Sequence, residues 1–111
     1  MNASDRVRLR HMLDAASEAL SFVEGRTRED LGRDRMLLLS VVKEIEIIGE
    51  AASRVSTECR AEAPGIPWSN IVGIRNRLID AYFDWNLEIV WSTLTLNLPA
   101  LIGELRRALP E

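Results

Sequence analysis

The chain holds one cysteine, Cys59, one histidine, His11, and one lysine, Lys43, among its 111 residues. A single thiol excludes an internal disulfide and offers no metal cluster. No apolar run approaches the ~20 residues that a membrane-spanning helix needs, and MLLLSVV stops far short. The opening MNASDRVRLR is charged and lacks the apolar centre of a secretory signal. Internal repeats, low-complexity stretches and sustained period-two alternation are also missing, so nothing in the pattern asks for a strand. These absences together point to a cytoplasmic protein with no membrane partner. The formal net charge of −3 argues against nonspecific coating of nucleic acid, which normally depends on a basic excess. A local basic site stays open. The excess of arginine over lysine reflects genomic base composition as readily as any phosphate-binding role.

What is present fits one domain over residues 1–111, at 47% hydrophobic and 28% charged composition. Four helical stretches are expected. The first spans about Ser4 to Glu24, with Ser4 or Asp5 as N-cap, an apolar stripe through Val7, Met12, Ala15, Ala16, Leu20 and Val23, and Gly25 as its stop. Thr27 with Asp30 resembles a capping arrangement. The second runs from about Leu31 or Asp34 to Thr57, with Leu37, Leu38, Val41, Ile45, Ile48, Ala52 and Val55 inward and Lys43, Glu44 and Glu46 on the wet side. Pro64-Gly65 signals a turn and Pro67 a helix start. The third covers about Trp68 to Tyr82, with Ile71, Ile74 and Leu78 inward. The last carries Leu87, Val90, Trp91, Leu94, Leu98, Leu101, Ile102, Leu105 and Leu109, and Pro99 should kink it. The expected fold is all-α, an up-and-down bundle of four main helices. The breadth of its apolar stripes suggests a two-fold homodimer.

The stretch IVGIRNRLIDAYFDWN, residues 71–86, concentrates polar chemistry. On a continuous helix Asn76 and Asp80 share a face, Arg75 and Tyr82 align two turns apart, and a long arginine can reach across to Asp80. Two readings follow from the spacing. In one, Arg75 and Asp80 form a surface ion pair and Tyr82 packs its ring. In the other, a guanidinium, an amide, a carboxylate and a phenol line one site.

The run R-N-R-L-I-x-A-Y-F-D, preceded by IPW-x-x-IVG-x and followed by N-L-x-I-VW-x-T, resembles the HepT-like toxins of the HEPN superfamily. RVRLRHMLDAASEALSFVEGRTREDL and EIIGEAASRVS extend the likeness over nearly the whole chain. The resemblance implies a small helical bundle that dimerises around a composite cleft, and a metal-independent endoribonuclease acting on RNA without a cofactor. It further implies a toxin whose partner is an MntA-like nucleotidyltransferase antitoxin. The family motif is an arginine with a polar follower, then, after four to six intervening residues, a histidine, then a tyrosine two places later. Here Arg75 takes the arginine position, Asn76 the polar follower and Tyr82 the tyrosine that the antitoxin would adenylylate. The histidine position holds Asp80.

That departure bears directly on the chemistry. Metal-free RNA cleavage needs a base for the 2′-hydroxyl, an acid for the leaving oxygen and a cation for the phosphorane. Imidazole, with a reference pKa of about 6.5, suits the first two tasks, and Arg75 suits the third. A carboxylate with a reference pKa of about 3.9 is a weak base and almost never an acid at neutral pH. Losing general acid–base help typically costs about 10²–10⁴-fold in rate, so impaired catalysis is expected. His11 as a substitute, Cys59 as a nucleophile and Glu44, Glu46 and Glu50 as metal ligands are weaker candidates than surface or core roles for the same residues. The rival to a ribonuclease is a non-catalytic helical dimer that serves as a scaffold subunit for a nucleotidyltransferase.

Overall fold

The computed structural model describes residues 1–79 and 84–110. Helix α1, Ala3–Val23, is capped by Asn2, whose side chain accepts from the Asp5 N–H at 2.7 Å. This corrects the expected cap at Ser4 or Asp5. Asp5 is buried and turned to another task, accepting from the Ser56 N–H at 2.9 Å and the Ser56 hydroxyl at 2.6 Å. Gly25 adopts φ +74, a left-handed conformation that ends the helix at little steric cost.

The expected second helix starts at its Asp34 alternative and is flanked by two short helices. Helix α2, Arg28–Arg33, starts where the Thr27 N–H donates to Asp30 Oδ2 at 2.7 Å. Helix α3, Arg35–Ser53, starts afresh because Asp34 accepts from the Leu37 N–H at 3.1 Å. It ends before Thr57, which instead opens α4, Thr57–Glu62, under a Ser56 cap. The inward stripe of α3 is as expected, with Leu37, Leu38, Val41, Ile45, Ile48 and Ala52 buried, and Val55 is buried just past its end. Glu44 is buried with them, against the expectation of a wet position.

The expected third helix divides at Gly73 into α5, Trp68–Val72, and α6, Ile74–Leu78. Gly49 explains the close seat of this pair on α3, since a Cβ there would stand 3.1 Å from the Ile71 carbonyl oxygen. The helix ends at Leu78, and the expected run beyond Ile79 lies outside the described residues. Ile79 is extended and bridges to Trp85, and the Asn86 N–H donates to the Leu78 carbonyl at 2.6 Å.

The last stretch comprises α7, Leu87–Ser92, a π-helical turn, Thr93–Asn97, and α8, Leu98–Ala108. Pro99 falls in the first turn of α8, just after the widened turn, where a missing N–H is best tolerated. The proline therefore stands at a helix start and not inside one continuous helix as expected.

Helix α1 packs along α3 and α8, while α5 and α6 lie on α3 and α2 meets α7. One core joins them, including Leu9, Met12, Val41, Leu78, Val90, Leu94 and Leu105. The described residues form an all-α bundle without a strand. No helix among them is long and apolar enough to cross a membrane.

Candidate active site

Arg75 and Asn76 sit in the five-residue helix α6, exposed on the side opposite the buried Ile74 and Leu78. The alternation follows from helical spacing: Ile74 and Leu78, four apart, face α3, so the residues between them point outward. Asp80 and Tyr82 lie outside the described residues. Because α6 ends at Leu78 and Ile79 is extended, the shared helical face proposed for Asn76 and Asp80 loses its premise.

The guanidinium of Arg75 is engaged. Its Nε lies 2.5 Å from Glu46 Oε2 on α3, with the arginine side chain 59% and the glutamate 29% exposed. Sequence reasoning placed Glu46 in solvent and missed this pair. The separation of 29 positions hid it, since only the docking of α6 on α3 brings the two together. Arg77, the other arginine of α6, donates to the Asn70 carbonyl at 2.9 Å and so braces α5 against α6.

Arg75 and Glu46 divide two depressions. One, of about 140 Å³, is lined by Gly49, Ser53, Val72 and Ile74 as well as the pair. The other, of about 380 Å³, runs between α3 and α1 and reaches Arg8, His11, Lys43 and Arg54. His11, the one histidine of the chain, is exposed on α1 and borders this larger groove. Arg54 is held by Glu50, at 3.0 Å and 2.7 Å to Oε1.

The remaining sequence candidates have structural surroundings. Cys59 is buried, and that burial, with Asp5 and Glu62 nearby, pushes its thiol above the ordinary range, the reverse of nucleophile activation. Glu44 packs beside Glu18 of α1. Burial first, and the second carboxylate after it, raises its carboxyl to about 7. Among the described residues no group of three His, Cys, Asp or Glu side chains is arranged to hold a metal ion. What the described part of the site offers is an exposed guanidinium and an amide on one short helix, beside a groove whose rim carries further cations.

The sequence signature described as "Ribonuclease HepT-like" matches residues 12–108. A protein of Caldanaerobacter subterraneus subsp. tengcongensis named "Putative RNase" is 34% identical over 103 residues, covering 93% of this chain and 92% of its own length. The "Probable ribonuclease HepT" of Thermococcus cleftensis is 31% identical over 99 residues, 86% of this chain and 90% of its own. A "Putative RNase" of Methanocaldococcus jannaschii is 28% identical over 93 residues, 84% and 85% of the two chains. No solved structure matches. With a family match over 97 of its 111 positions, counted from residue 12 to residue 108, the chain belongs to the HepT-like ribonuclease family.

Proposed function

We propose that this chain is the toxin subunit of a HEPN/MNT toxin–antitoxin pair, a homodimeric, metal-independent endoribonuclease by descent whose catalysis is impaired by Asp80. The observation that carries the reading is the pairing of family membership with Arg75, exposed on α6 beside Asn76 and lining a groove of about 380 Å³. In this reading Arg75 stabilises the charge that develops on the phosphorane and Asn76 orients the phosphate. Asp80 stands where an imidazole would shuttle protons, and its own charge opposes the approaching phosphate. Tyr82 is the acceptor of AMP from a nucleotidyltransferase antitoxin. The added nucleotide would bring bulk and negative charge to the place where RNA must bind.

The Glu46 partner of Arg75 favours a second reading, in which the subunit is a non-catalytic scaffold for that nucleotidyltransferase. A guanidinium whose Nε already donates to a carboxylate at 2.5 Å is less available to phosphate.

One comparison separates the two. Cleavage of single-stranded RNA is measured for the chain, for Asp80→His and for Asp80→His with Arg75→Ala. The ribonuclease reading expects about 10²–10⁴-fold faster cleavage on restoring histidine, and loss of that gain without Arg75. An Asp80→His protein no faster than the parent leaves the scaffold reading. Incubation with the antitoxin and ATP should raise the intact mass by one AMP in the parent and not in Tyr82→Phe.

A further inference from the structure

The groove between α1 and α3 has a charge unlike that of the chain. Arg8, Lys43, Arg54 and Arg75 line it with Glu46 and Glu50, four positive charges against two, on a protein of net charge −3. The two glutamates are each bonded to an arginine of the groove, Glu46 to Arg75 and Glu50 to Arg54. Arg8 and Lys43 make no ion pair among the described residues. From Lys43 to Arg54 the floor of the groove follows α3 for about 16 Å, at ~1.5 Å per residue. Its lining includes Ile47 and Ala51, and His11 is the single ring among the described lining residues, with no Phe, Tyr or Trp on which successive bases could stack. Such a surface suits a backbone of phosphates and is indifferent to base identity.

We propose that this groove is the RNA track leading away from Arg75, with Arg8 of α1 and Lys43 of α3 holding backbone phosphates of the strand. The inference rests on the ribonuclease reading and adds to it a direction for the strand and a mode of recognition. An anionic protein segment is the competing occupant, and it would not bring regularly spaced phosphates to both cations.

The test uses fluorescence anisotropy of a labelled 12-nucleotide single-stranded RNA between 50 and 200 mM salt. The proteins are the parent, Arg8→Gln with Lys43→Gln, Arg75→Ala, and Arg106→Gln with Arg107→Gln on α8 as a remote charge control. Lys43 is exposed and Arg8 half-buried, and thermal melts of the variants check that they fold. Loss of two phosphate contacts should weaken binding about tenfold or more at low salt. The slope of log K against log salt should become shallower by about 1.4, at ~0.7 per phosphate for a single strand. The α8 control should bind like the parent, and a poly-U and a mixed-sequence RNA should behave alike. If the groove variant matches the parent in affinity and slope while Arg75→Ala weakens binding, the strand runs elsewhere and the ribonuclease reading stands. If the α8 control loses as much as the groove variant, the effect is one of total charge and the track is rejected. If the parent binds no RNA and Asp80→His does not cleave, the reading beneath the proposal fails and the proposal falls with it.

Discussion

Glu44 and Glu46 stand two positions apart on α3 and meet opposite fates. Glu46 reaches the exposed Arg75, whereas Glu44 is buried beside Glu18, with His11 and Asp14 of α1 bordering the same depression. Its Oε2 is buried without a hydrogen-bond partner among the described residues, an arrangement that favours the protonated acid. In the unfolded chain this carboxyl titrates near 4.5, and in the fold near about 7. Folding therefore takes up a proton between those values. The stability tied to Glu44 is full below about pH 4.5 and declines as pH rises through about 7. Glu44→Gln, which keeps the shape and removes the charge, should melt several degrees above the parent at pH 8, and the two curves should converge at pH 5. Equal melting temperatures at pH 8 would show that Glu44 finds a partner for its charge. The sequence could not reveal this residue. Hydrophobic periodicity reads every charged side chain as outward, and only the crossing of α1 over α3 makes position 44 interior.

Between elements, Asp5 does the reverse. Two hydrogen bonds from Ser56, side chain and backbone, hold its carboxyl below the usual carboxylate range and tie the start of α1 to the start of α4. A depressed acid adds stability above its ordinary value of 3.8, and that stability is lost as pH falls through the lower folded value. Asp5→Asn should lower the melting temperature at pH 6, with the gap to the parent narrowing as pH falls below 3.8. A second tie is Arg60, which donates to the Ala52 carbonyl at 2.9 Å and lies 5.8 Å from the Trp68 ring centroid, joining α4 to both α3 and α5. The long helices α1 and α3 were legible because their stripes repeat over five turns or more. The short ones were not. A five- or six-residue helix offers a single turn of pattern, so α2, α4 and the break between α5 and α6 at Gly73 merge with their neighbours in any periodic reading. The polar strip was legible as residues and not as geometry, since the end of α6 at Leu78 depends on the Ile79–Trp85 bridge.

For the whole molecule, the proposed homodimer has a direct measurement. Met36 and Leu39, one turn apart on α3, are 80% and 45% exposed, and Leu96 on the π-helical turn is 70% exposed. Apolar side chains at that level of exposure are common where a second subunit is to be seated. Sedimentation equilibrium of the parent should give twice the chain mass, 12.5 kDa per chain. Met36→Asp combined with Leu39→Asp should shift it to a monomer if α3 lies in the interface. A monomeric parent at micromolar concentration would remove the dimer from the reading. Dimerisation would also make the melting temperature rise with protein concentration, a check that needs no variant.

The Arg75–Glu46 pair gives the proposed RNA site the character of an ion exchanger. A phosphate that takes the Nε of Arg75 must displace a carboxylate belonging to the protein, and that displaced anion stays attached to α3. Arg75 should then add less to the affinity for RNA than Arg8 or Lys43, neither of which has an ion-pair partner to give up among the described residues. The guanidinium closest to the chemistry would respond to competition from its own fold, and the distant cations to the composition of the surrounding solution.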